Sequence, residues 1–110
     1  GVQLLGIGLN GHVGFNEPGC EPDSRCRVTK LAKSTLDRNG YPSGTRAVTI
    51  GIAEITSAQR IIMVATGAAK SPAIAAIIEG SQSTVYPASL LRGYLDLALF
   101  LDQAAAKGLS

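Results

Sequence analysis

An apolar run, Val2-Gln3-Leu4-Leu5-Gly6-Ile7-Gly8, ends in glycines and passes at once into a loop that holds the only histidine of the 110 residues. A continuous apolar segment stopped by glycine is the pattern of a parallel strand buried on both faces, so residues 2–7 predict one strand of an α/β sheet. Open sheets of that kind place ligands at the carboxyl ends of their strands. The loop that follows, Asn10-Gly11-His12-Val13-Gly14-Phe15-Asn16-Glu17-Pro18, occupies that position. An imidazole both takes and gives a proton near neutrality, which makes His12 a general acid/base candidate, with Asn10 and Glu17 as its polar company. A histidine satisfied by backbone in a turn is the alternative reading of the same loop.

Gly6, Gly8 and Gly11 spell G-x-G-x-x-G after a strand, the dinucleotide fingerprint. That motif has to open a helix whose N-terminus meets the pyrophosphate. Residues 13–18 hold poor helix formers and an early proline, so no dinucleotide site is expected. The glycines are better suited to letting the backbone pass close to a ligand or to itself.

The rest of the chain alternates strands and helices. Residues 19–26 read as loop, Arg27-Val28-Thr29 as a short strand, 34–38 as a short helix, and 39–44 as a surface turn rich in Asn, Gly and Pro. Ala47 to Ile52 reads as a strand or as the entry to a short helix through Ala58. Arg60 to Thr66 is a strand with a glycine stop. Ser71 offers an N-cap, Pro72 fits the first helical position, Ile74, Ile77 and Ile78 share a face, and Gly80 suits the terminator. Leu90 and Leu91 suit a short helix after Pro87. The partner strand of this βαβ unit is Leu97–Leu101 or, less strongly, Val85-Tyr86, and a capped helix is expected over 102–108.

This order predicts a doubly wound, Rossmann-like, mostly parallel sheet, with residues 1–110 forming a single α/β unit. Three or four strands are few for that architecture. Residue 1 runs almost directly into a strand without an initiator Met, as expected of a chain cut from something longer.

An apolar content of 45% and a mean hydropathy of +0.21 are those of a chain with a buried core. A net charge of +2 with no tryptophan gives no basic, aromatic surface, so nucleic acid is not an expected partner and small molecules are. No long apolar span predicts a membrane segment. Cys20 and Cys26 have neither zinc-knuckle nor thioredoxin spacing, and with one histidine they supply too few ligands for a metal site. They read as free thiols of a cytoplasmic protein.

A second candidate site is Thr66-Gly67-Ala68-Ala69-Lys70-Ser71, which joins a strand to a helix. Free backbone N–H groups, the positive end of the helix dipole and the Lys70 ammonium all favour an anion there. Ala69 stands where a Walker A loop needs glycine, so this is not a nucleotide P-loop. A lysine with its amine in water is the alternative.

Leu5-Gly6-Ile7-Gly8, Asn10-Gly11-His12 and Phe15-Asn16-Glu17-Pro18-Gly19 together closely resemble the second half of the glucosamine-6-phosphate deaminase (isomerase) family. The resemblance continues through Ala47-Val48-Thr49-Ile50-Gly51, Thr66-Gly67-x-x-Lys70, Glu79-Gly80 and Pro87-Ala88-Ser89-x-Leu91, to about Asp102. 6-Phosphogluconolactonases of the same superfamily share the glycine-histidine core but differ after the histidine, so Phe15 to Pro18 favours the amino-sugar branch.

The resemblance implies conversion of glucosamine 6-phosphate and water to fructose 6-phosphate and ammonia, without metal or organic cofactor, in a possible homo-oligomer. His12 matches the residue that opens the sugar ring, Glu17 the carboxylate that orients it, and Lys70 the lysine that contacts the substrate phosphate. Asn10 stands where many members carry Asp; its amide can orient His12 but cannot offset its charge. The base that enolises the open sugar, and a Ser/Gly-rich phosphate loop, belong to the family's first half and have no match here. Where some relatives place a second phosphate-contacting Arg, this chain has Gly40-Tyr41, which leaves Arg38 or Arg46 to substitute. A lactonase, another sugar-phosphate isomerase of the same fold, and a non-catalytic sugar-phosphate-binding fragment are the competing readings.

Overall fold

The computed structural model describes residues 1–94 and 96–110. Strands β1 (Val2–Leu5), β4 (Arg60–Ala65) and β5 (Leu97–Leu101) form a three-stranded sheet in the order β1-β4-β5, and both pairings are parallel. Strands β2 (Arg27–Lys30) and β3 (Arg46–Thr49) pair with each other as a separate antiparallel ribbon. Helix α1 (Lys33–Asn39) lies between β2 and β3, α2 (Ile52–Thr56) follows β3, and α3 (Ser71–Glu79) connects β4 to β5. This is the mixed α/β, parallel-sheet architecture that the strand and helix alternation predicts, and β5 is the stronger of the two strand candidates for the second half of the βαβ unit.

The register explains where the core sits. Successive strand residues face opposite sides, so Leu5, Ile61, Met63 and Ala65 share one face with Leu97, Leu99 and Leu101. That face packs against Ile52 and Ile55 of α2, Ile74 and Ile77 of α3, and Ala88 and Leu91 of the 3-10 turn Pro87–Leu91. The opposite face carries Val2, Leu4, Val64 and Phe100, exposed at 64%, 68%, 41% and 58%. The expectation of a first strand buried on both faces is therefore corrected. Its apolar alternation is double-sided, but the elements of this chain cover one side only.

Three local expectations are also revised. Ser71 is not the N-cap of α3: a 3-10 turn, Ala68–Lys70, leads straight into the helix, Lys70 holds the cap position, and the Ser71 hydroxyl instead accepts the Gly108 N–H at 3.0 Å. Ile78 does not share the buried stripe of Ile74 and Ile77; it is exposed. Residues 103–108 form turns, not a helix. The Asp102 carboxylate does act as a cap there, accepting Ala105 N–H at 2.8 Å. It also accepts Gly67 N–H at 3.1 Å, which ties this turn to the end of β4. Residues 47–52 satisfy both options, with β3 ending at Thr49 and α2 beginning at Ile52.

Candidate functional site

At the carboxyl ends of β1 and β4 lies an open cavity of about 650 Å³. Its walls are residues 6–10, His12, Gly14 and Phe15 from the first loop, Ser34, Thr35, Arg38 and Asn39 from α1, residues 48–50 at the end of β3, and Lys70. His12 and Lys70, 58 positions apart in the sequence, thus face one space. No helix follows the glycine loop, which turns through a bridge between Val13 and Asn16. The rejected dinucleotide fingerprint stays rejected. Gly8 has a different duty: a Cβ there would lie 2.1 Å from the His12 ring, so the imidazole rests directly on the glycine backbone.

The loop is locked from beneath by Asn16. This fully buried amide donates to Val13 O at 2.8 Å and to Ile50 O at 2.9 Å, and accepts from Arg27 Nη1 at 2.9 Å. Its hydrogen bonds close the loop onto the β2–β3 ribbon, and they make Phe15-Asn16-Glu17-Pro18 a structural segment as much as a chemical one.

Around His12 the predicted partners converge. Nδ1 lies 2.8 Å from Asn10 Oδ1 and 3.0 Å from Glu17 Oε1. Asn10 Oδ1 also accepts the His12 backbone N–H at 3.1 Å, while its Nδ2 donates to Ser34 Oγ at 2.9 Å, which fixes which end of the amide faces the ring. Both oxygens at Nδ1 can only accept, so the neutral imidazole carries its hydrogen on Nδ1 and keeps its lone pair on Nε2. A protonated His12 turns the Glu17 contact into an ion pair.

Glu17 is itself buried and held by three groups: His12, the Thr35 hydroxyl, which donates to Oε1 at 3.0 Å, and the Ala32 N–H, which donates to Oε2. Burial pushes its pKa up. The hydrogen bonds from His12, Thr35 and Ala32, with the charge of His12, outweigh that and hold the carboxyl below its usual value. The sequence reading had no place for Thr35 in the site. It lies 18 positions beyond Glu17 on a separate helix, and no local spacing signals that contact.

Lys70 is half-buried, and its ammonium donates to the Ile7 carbonyl at the start of the first loop. Burial, and then the positive charge of Arg38, hold its pKa below the usual lysine value. Of the two arginines offered as substitutes for a second phosphate contact, Arg38 lines the cavity and Arg46 does not. Cys20 and Cys26 are free thiols, as expected. Among the described residues no group of three or more His, Cys, Asp or Glu side chains is placed to hold a metal ion, and no helix is long and apolar enough to cross a membrane.

The family profile of the glucosamine-6-phosphate isomerases/6-phosphogluconolactonases matches residues 1–98. The chain belongs to that family. Among its relatives, the glucosamine-6-phosphate deaminase of Shewanella halifaxensis is 43% identical over 115 residues, covering 99% of this chain and 44% of that protein. The Streptococcus thermophilus deaminase is 44% identical, covering 96% and 48%. In structure, a monomeric glucosamine-6-phosphate deaminase superimposes with a TM-score of 0.91 at 40% identity over 97% of this chain and 47% of its own. A 6-phosphogluconolactonase from Trypanosoma cruzi shares the fold, with a TM-score of 0.76 at 24% identity. The chain spans about half the length of the relatives it matches.

Proposed function

We propose that this chain supplies the ring-opening and phosphate-holding half of an amino-sugar-phosphate deaminase that converts glucosamine 6-phosphate and water to fructose 6-phosphate and ammonia. The observation that carries the reading is the shared cavity: His12 and Asn10, with Glu17 against the ring, face one space with Lys70, in a chain more than 40% identical to deaminases.

The chemistry follows from the closed hexosamine ring, which has no free carbonyl. The His12 Nε2 lone pair takes the proton of the anomeric hydroxyl, and the imidazolium returns it to the ring oxygen as the C1–O5 bond breaks. Nδ1–H remains against Glu17 Oε1 and Asn10 Oδ1 throughout, and Glu17 stabilises the transient positive charge, the role of the orienting carboxylate in a catalytic triad. Asn10 orients the ring without contributing charge. The Lys70 ammonium holds the phosphate, with Arg38, which lines the same cavity, as the second cation. The enolising base lies outside these residues, so catalysis is assigned to the longer protein and not to 110 residues alone.

The test uses that longer protein, with ammonia release as the readout. His12→Gln is expected to lower kcat by about 10²- to 10⁴-fold with little change in KM, and Lys70→Ala to raise KM chiefly. An open-chain analogue that needs no ring opening separates the roles. Equal damage by His12→Gln on the analogue and on the closed sugar overturns the assignment of His12, and no release of ammonia by the unsubstituted protein overturns the deaminase reading.

A further inference from the structure

Of the three oxygens near His12 Nδ1, the Thr35 hydroxyl lies farthest, at 3.4 Å, and the two nearer ones, Asn10 Oδ1 and Glu17 Oε1, come from the first loop, but neither is held there by the loop alone. Asn10 presents Oδ1 to the ring because its Nδ2 is taken by Ser34 Oγ at 2.9 Å. Glu17 presents Oε1 because the Thr35 hydroxyl donates to that same oxygen at 3.0 Å, while the Ala32 N–H holds the other. Ser34 and Thr35 are consecutive residues of α1, one exposed at the cavity wall and the other 3% exposed.

We infer that Ser34 and Thr35 are positioning residues, a two-point brace by which α1 fixes both acceptors on Nδ1 and so keeps the lone pair of neutral His12 on Nε2, facing the cavity. The inference rests on the reading of His12 as the proton carrier, but it concerns the proton's place on the ring and is testable without turnover. Each brace acts by a distinct route. Without Ser34 Oγ only the His12 backbone N–H still holds Asn10 Oδ1 in place, so the amide turns its NH2 towards the ring in a larger share of molecules, and a donor against Nδ1 favours hydrogen on Nε2 instead. Without the Thr35 hydroxyl, Glu17 Oε1 loses the donor that sets its angle, and the carboxylate is free to rotate about its remaining bond to Ala32.

The other charged groups around the ring are Arg38 of α1 and Lys70, both cations on the cavity wall. Neither offers an acceptor, so neither can substitute for the brace.

His12 is the only histidine, so nitrogen-15 NMR of this chain labelled at histidine reads one imidazole and reports its tautomer directly, above the pH at which the ring is neutral. The unsubstituted chain is expected to show the Nδ1–H form. Ser34→Ala, at an exposed position that leaves the core intact, and Thr35→Val, which removes the hydroxyl and keeps the shape, are each expected to move the tautomer ratio towards Nε2–H by about three- to tenfold, the weight of one net hydrogen bond. Thr35→Ser keeps a hydroxyl and is expected to restore the ratio, which a packing role for Thr35 would not do. A ratio unchanged in Ser34→Ala, or an Nε2–H ring in the unsubstituted chain, overturns the inference even if Thr35→Val does not fold. Turnover by the longer protein has no bearing on either result, so failure of the brace and failure of the deaminase reading are distinct.

Discussion

Glu17 is the residue on which site and stability meet. Its carboxyl is buried and hydrogen-bonded by His12, Thr35 and Ala32, and its pKa lies below the unfolded value. A depressed folded pKa contributes stability that is present above the unfolded carboxylate value and is lost as pH falls through the folded one. Urea unfolding should therefore show Glu17→Gln destabilised by about 1–3 kcal/mol at neutral pH, with the gap to the unsubstituted chain closing below about pH 4 as both side chains become neutral. A gap that persists undiminished at pH 3 would mean that shape, not charge, holds the loop. The pairing of Glu17 with His12 was legible in the sequence, because both residues lie on one glycine-rich loop. Thr35 was not, because the contact exists only once α1 folds back over that loop.

At the scale of elements, α3 shows how end groups decide a boundary. Its nine residues end against Arg92, whose guanidinium donates to the carbonyls of Ile77, Ile78 and Gly80. A cation at the negative end of the helix dipole, bonded to carbonyls that lack intrahelical partners, is a stabilising C-cap supplied from a distant turn. Arg92→Ala is expected to cost about 1–2 kcal/mol in chemical denaturation, with Arg92→Lys recovering part of it because an ammonium lacks the planar fork. Pro72 near the helix start and the glycine at its end were readable locally. The 3-10 lead-in that makes Lys70, not Ser71, the cap residue carried no local signal, and the Lys70 side chain there reaches back to Ile7 on another strand's loop. Nor does the helical composition of residues 103–108 signal that they form turns, with Asp102 tied to Gly67 at the end of β4.

For the whole molecule, the sheet is covered on one face and open on the other. Val2 and Leu4 of β1, Val64 of β4 and Phe100 of β5 lie together on the open face by the strand register. An exposed contiguous apolar surface favours association. Sedimentation of this 110-residue chain should show self-association that depends on concentration. Phe100→Lys should weaken it about tenfold or more, since burying such a ring is worth roughly 1.5–3 kcal/mol, and should leave unchanged the His12 cavity, which Phe100 does not line. A concentration-independent monomer would show that the open face is compatible with water as it stands.

Features carried by near neighbours are legible in the chain's order of residues: an α/β chain from alternating apolar strands and helices, the loop with His12, Asn10 and Glu17, and the lysine after the fourth strand. Short-range periodicity and turn chemistry encode these, because the groups involved lie within a few turns of backbone. Three-dimensional packing is what brings Lys70 and Arg38 to the same cavity as His12, sets α1 against the Asn10 and Glu17 oxygens on Nδ1, and leaves one face of the sheet open. Those depend on strand order, on helices crossing between strands and on which surface each apolar stripe finds to cover, and no window of sequence contains both partners of such a contact.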